Sequence, residues 1–279
     1  MTNAANCPFD ILVHLRRTDA PGSSGMVGLA LAQRLGAWTV GLHVVPMAPV
    51  AFASPEAVAL YVNEADAAYR DALRCAPSWQ AQLDAHGVRG EWQVGQGDIV
   101  ESLCHASRWN DLVVVERPQL NPDAPVGWGT VSRTVFGASA PVVVVPDSAK
   151  VGAVGRRIAV AWNRSREAAL AIRGALPLLA RAESVQVFEG DPGESPLGLR
   201  YLPALDLRTW LARHGIMATH TTFGARSEHG AALLDAAHAM DADLIVMGAW
   251  GHSRIAELVL GGTTRHLFQH SDLPLLVAH

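Results

Sequence analysis

The residues best suited to chemistry lie in one stretch, Met247-Gly-Ala-Trp-Gly-His-Ser-Arg-Ile-Ala-Glu-Leu-Val-Leu-Gly-Gly-Thr-Thr-Arg-His266. Gly248 and Gly251 let backbone approach a ligand closely or take positive φ. Gly261, Gly262 and Thr263 stand where a helix is predicted to begin. Free N–H groups and the helix dipole there favour an anion, typically phosphate. Thr263 and Thr264 add hydroxyls that donate to such an anion or cap the helix. The plainer reading of these glycines is a tight strand exit and a close helix–strand contact.

Other constellations compete with this one. Gly251-His252-Ser253 opens like the hydrolase elbow G-x-S-x-G, with Asp272 and His279 following in the right order. Ile255 replaces the last glycine, however, and the 26 residues after Ser253 are too few for the strands such an enzyme needs. Ser253 therefore reads as a loop residue. His266 and His270 are four apart on a predicted helix, a spacing that can grip a metal. No third ligand is identifiable, and a solvated helix face is favoured. Trp250 has three readings: over a base or ribose, capping the core, or at a domain interface. Trp128 lies in the equivalent loop of the first half.

The elements that position these residues occur twice. Asp10-Ile-Leu-Val-His-Leu15 has the character of Arg157-Ile-Ala-Val-Ala-Trp162, at an offset of 147. Asn110-Asp-Leu-Val-Val-Val115 matches Ala242-Asp-Leu-Ile-Val-Met247 at an offset of 132, and Ser132-Arg-Thr-Val-Phe136 matches Thr264-Arg-His-Leu-Phe268 at the same offset. Each half closes on a proline-led apolar run, Pro141–Pro146 and Pro274–His279. Two domains are expected, 1–150 and 151–279, joined near Asp147–Gly155, where small and polar residues suit a linker.

Strands are predicted in the second half near 157–162, 184–189, 216–222, 243–248 and 274–278. Helices fall between them, near 166–181, 204–214, 228–240 and 261–271. The first half has an extra-long helix from about Pro55 to His86. Continuous Val/Ile/Leu runs indicate strands buried on both faces. Their alternation with helices implies parallel βαβ units. The fold class is therefore α/β, with two tandem doubly wound sandwiches and a mostly parallel five-stranded sheet in each. Such sheets bind ligands beyond the carboxyl ends of their strands, at the switch point.

The spacing Gly248-x2-Gly251-x9-Gly261, with the segment Ala-Asp-Leu-Ile-Val-Met-Gly and the closing Leu-Pro-Leu-Leu-Val, resembles the universal stress protein family, whose nucleotide-binding segment reads G-x2-G-x9-G-[Ser/Thr]. The resemblance covers the second half well and the first more weakly, as in a tandem two-domain member with an adenine nucleotide alpha hydrolase-like fold. It implies ATP, with or without Mg²⁺, in the second half. Asn163 stands where the family places an acidic residue near adenine. Met247 and Gly248 would line base and ribose. Gly251, His252, Gly261, Gly262 and Thr263 complete the implied nucleotide-binding set, with the phosphates over Gly251, Gly261, Gly262 and Thr263. Gly262 replaces the family's Ser or Thr and loses a hydroxyl worth about 1 kcal/mol.

The same offsets place Arg16 at Asn163, Glu116 at Gly248, Gln119 at Gly251, Gly129 at Gly261 and Thr130 at Gly262. Both early glycines are lost and a carboxylate enters, so the first half is expected not to bind nucleotide in the family's manner. An anion received by Arg16 and Arg17 is the competing idea; solvated arginines are favoured. The resemblance also implies pairing through the last strands, made within the chain, with or without association of two chains.

Composition sets outer limits. The 279 residues are 49% hydrophobic and 17% charged, with mean hydropathy +0.16, which excludes a disordered chain. No stretch approaches the roughly 18 apolar residues of a membrane helix, and Met1–Asp10 lacks the pattern of a secretory signal. A net charge of −4 argues against non-specific nucleic-acid binding. Cys7, Cys75 and Cys104 read as reduced thiols. The expected function is a cytoplasmic stress-response protein that binds ATP in its second half and signals through conformation or protein partners. No positioned general base is visible, so at most slow hydrolysis is expected. The alternative is an interaction protein of the same fold that binds no nucleotide.

Overall fold

The computed structural model describes residues 9–47, 54–119, 125–149, 152–190, 203–223, 229–249 and 262–279. The chain divides into two compact units. One comprises Met1–Ala124 and Trp128–Gly152; the other comprises Ala153–His279 with Pro125–Gly127.

The described strands and helices of the first unit are β1 (Asp10–His14), α1 (Gly22–Leu35), β2 (Trp38–Pro46), α2 (Pro55–Leu73), α3 (Ala76–Ala85), β3 (Arg89–Gly97), α4 (Ile99–Ala106), β4 (Leu112–Arg117), α5 (Thr130–Gly137) and β5 (Val142–Pro146). Its strands run in the order β3-β2-β1-β4-β5, and every pairing is parallel. Val113, Val114, Val143 and Val144 are fully buried, as strands covered on both faces must be. β3 instead alternates half-buried and exposed residues, which suits an edge.

The second unit follows the same plan: β6 (Arg157–Trp162), α6 (Arg166–Gly174), α7 (Leu176–Leu179), β7 (Ser184–Glu189), α8 (Leu207–Arg213), β8 (Ala218–Thr222), α9 (His229–Ala239), β9 (Leu244–Gly248), α10 (Gly262–His270) and β10 (Leu275–Ala278). Its order is β10-β9-β6-β7-β8, again parallel throughout. The strand order reverses direction between β1 and β4 in one unit and between β6 and β9 in the other. Those are the two switch points.

Two expected helices are each split. The long helix predicted over 55–86 is α2 and α3, with Pro77 in the first turn of α3. The helix predicted over 166–181 is α6 and α7, with Pro177 placed likewise. A proline there lacks the N–H that would bond to the carbonyl four residues earlier, and its ring crowds that carbonyl.

Trp79 ties α3 of the first unit to the sheet. Trp79 on α3 is 4% exposed, and its indole N–H donates to the Glu91 carbonyl at 3.0 Å. It lies on Gly41 of β2, where a Cβ would meet the indole at 2.6 Å. Trp79→Ala is therefore expected to lower the unfolding free energy by about 3–5 kcal/mol, as measured by urea denaturation.

Candidate functional site

In the second unit β6 and β9 end side by side at the switch point. Ile158, Ala159 and Val160 pair with Leu244, Ile245 and Val246, which carries Trp162 and Asn163 to the level of Gly248. Only 163–165 separate β6 from α6. This turn places Arg164 at φ 63°, in the left-handed region that non-glycine residues rarely occupy. The Asn163 side-chain oxygen accepts from the Ser165 N–H at 3.1 Å. The Ser165 hydroxyl oxygen in turn accepts from the Ala168 N–H at 3.1 Å, capping α6.

The short turn seats the start of α6 directly on the end of β9. A Cβ added to Gly248 would lie 2.4 Å from the Ala168 nitrogen and 2.7 Å from the Glu167 carbonyl carbon. Glycine at 248 is thus required by close packing of helix on strand. Met247, one residue earlier, is buried. Gly262 opens α10, and among the described residues no atom beyond its chain neighbours and own helix backbone lies within 4 Å of a Cβ built on it. Parallel crossovers put the first turn of α10 at the carboxyl edge of the sheet, where its N–H groups have no intrahelical partners. Thr263 is half-buried and Thr264 buried. Gly251, His252 and Gly261 lie outside the described residues, as do Trp250 and Ser253.

The first unit solves the same junction differently. Residues 15–21 separate β1 from α1, four more than in the second unit. Here Glu116 of β4 meets the helix with its side chain. Its Oε2 accepts from the Ser23 N–H at 3.1 Å and the Ser23 hydroxyl at 2.9 Å. Its Oε1 accepts from Arg16 at 3.3 Å. The carboxylate therefore sits on the first turn of α1, where the helix dipole favours it. Arg17 is paired with Asp19. The two arginines expected to face solvent are thus each matched by a carboxylate of their own unit.

Two histidines that sequence reasoning left aside also stand at this edge. His14 is buried at the end of β1, and Ser24 donates to its carbonyl at 2.8 Å. The His43 Nδ1 lies 2.8 Å from the Leu15 carbonyl, and its ring is near-parallel to that of Trp92. A signal for both was present: each is a lone polar residue inside an apolar run, Ile-Leu-Val-His-Leu and Gly-Leu-His-Val-Val. The rings of His266 and His270 lie 4.6 Å apart on α10. Among the described residues, no group of three or more His, Cys, Asp or Glu is arranged to hold a metal.

Against known proteins, residues 155–279 match the model of the universal stress protein family. The second unit belongs to that family. A universal stress protein structure from Archaeoglobus fulgidus aligns over 96% of this chain and 95% of its own, at 17% identity and TM-score 0.70. A putative universal stress protein from Pseudomonas aeruginosa aligns over 99% and 95%, at 17% identity and TM-score 0.59. At such identities these structures show the fold, and they show it for both halves. No curated protein matches the sequence significantly.

Within the universal stress protein unit the geometry gives Gly248 a structural duty, whatever else the segment does. Gly248→Ala is expected to cost about 1–3 kcal/mol, read as a lower urea midpoint in protein without added ligand. In the other unit, burial first, then the neighbouring His43 and Arg16 charges, push the His14 imidazole down to about 4 from its usual 6.5. Between those values the unfolded chain holds the proton and the folded one does not. Stability conferred above pH 6.5 is therefore lost as pH falls toward 4, by about 3 kcal/mol in all. Urea unfolding at pH 7 and 4.5 should show this loss, and His14→Gln should reduce it.

Proposed function

We propose that the second unit binds ATP at the β6–β9 switch point and acts as a cytoplasmic stress-response regulator, with bound nucleotide biasing its conformation or partners. The observation that carries the reading is the glycine spacing Gly248-x2-Gly251-x9-Gly261, in a unit matched to the family and at the end of a buried strand. The strand end and the helix start supply the two parts a nucleotide needs. Met247 and Gly248 would border base and ribose. The first turn of α10, with Gly262 and Thr263, would meet phosphate, as would Gly251, His252 and Gly261. Asn163 uses one lone pair of its side-chain oxygen within the α6 turn, so its NH₂ would donate to a base, with a second oxygen lone pair left to accept. Mg²⁺ would accompany the phosphates as counter-charge. Turnover is not part of the proposal beyond slow hydrolysis.

A second reading has its own support. Packing against α6 accounts for Gly248 without any ligand, which favours an interaction protein of the same fold. Among the described residues no helix is long and apolar enough to cross a membrane.

Calorimetry with Mg²⁺ and ATP on the full chain separates the two. Wild type should bind saturably, and Gly261→Asp, which places a carboxylate where phosphate is proposed, should abolish binding. Gly262→Ser should strengthen it about fivefold, the equivalent of about 1 kcal/mol, because no described residue crowds a Cβ at 262. Absence of binding at about 1 mM ATP, in protein freed of nucleotide, would leave the interaction protein as the better account.

A further inference from the structure

The first unit holds a cavity of about 320 Å³ at its own switch point. That is near the lower end of the range for small-molecule sites. Its walls are largely aliphatic, with Val44, Ile99, Leu103, Val115 and Val131 among them. His14 also lines it, from the end of β1. The residue is 6% exposed, and its ring has no hydrogen-bond partner among the described residues. The ring nitrogens are not sealed from solvent as an orphaned buried group would be; they border the cavity. Here the cavity is where a partner can stand.

The charges beside the cavity are already matched to one another. Arg16 and Glu116 both line it and are bonded together. The other oxygen of Glu116 is held by Ser23. An anion entering here would be desolvated beside a fixed carboxylate, and a cation beside a guanidinium. The buried imidazole of His14 is neutral near pH 7, so it offers one donor and one acceptor. His43 gives its Nδ1–H to the Leu15 carbonyl, which leaves Nε2 as an acceptor in the neutral ring. The Thr134 hydroxyl donates to the Thr130 carbonyl.

We propose that this cavity binds a small uncharged organic molecule, with an aliphatic or single-ring body and one hydroxyl- or amide-type group paired with His14. The site is independent of the nucleotide reading, since every residue it uses belongs to the first unit. It would also divide the labour between the halves: phosphate-bearing ligands in one, uncharged ligands in the other.

The test uses three one-ring probes of matched size, benzyl alcohol, benzoate and benzylamine, with the full chain at pH 7.5 and ligand-observed NMR titration. Benzyl alcohol should bind with a Kd on the order of 1 mM, about tenfold tighter than either charged probe. His14→Leu, which keeps the wall apolar but removes the polar edge, should weaken it about tenfold. His14→Gln, which keeps a donor and an acceptor, should restore much of the loss. Val131→Phe, which fills the cavity from α5, should abolish binding and serves as the second variant should His14→Leu fail to fold. Benzoate binding as tightly as the alcohol would overturn the proposal in favour of an anion site. So would the absence of saturable binding by benzyl alcohol, or binding unchanged by Val131→Phe.

Discussion

In each unit the start of the first helix must settle against the end of the strand across the switch point, and the rest of the carboxyl edge depends on how it does so. The helix begins with N–H groups that need partners and a dipole that favours negative charge. Where the turn is three residues long, 163–165, the helix is drawn so close that only glycine fits opposite, and Ser165 caps it. Where the turn is seven residues long, 15–21, there is room for a side chain. Glu116 fills it and supplies the negative charge itself. One repeat thus presents a bare strand end and the other a built-in carboxylate.

That difference explains why two units of one fold have different chemistry at corresponding places. In the universal stress protein unit, the strand end at Gly248 adds no charge, and no described residue crowds the first turn of α10 beside Gly262. In the other unit, Arg16, Glu116 and Ser23 bind one another. Beside them lies a largely aliphatic cavity with His14 and His43 in its wall. The two units share the sheet plan, whose strands are buried on both faces and tolerate little change. The turns beyond the strand ends are less constrained, and there the two units differ.

Much of this could be read from the residues. The valine and isoleucine runs mark the strands because a parallel sheet covered by helices has no polar face to alternate with. The predicted strands of the second half lie within two residues of β6, β7, β8, β9 and β10. The helices were less well resolved. The apolar pattern runs straight through Pro77 and Pro177, although each proline ends a hydrogen-bonded run. Offset arithmetic set Glu116 opposite Gly248 and Arg16 opposite Asn163. The bond between Glu116 and Arg16 was not read, because the two are 100 positions apart and meet only when β1 and β4 pair.

The sequence by itself determined the repeat, the fold class, the strand positions and the family likeness of the glycine segment. These rest on local patterns: which residues are apolar, in what period, and where glycine and proline interrupt them. Tertiary structure alone decided that Gly248 faces the backbone of α6, that Glu116 caps α1, and that His14 borders a cavity. Each depends on the distance between segments remote in the chain. That distance is set by turn length and helix packing, which leave no periodic mark in a single segment.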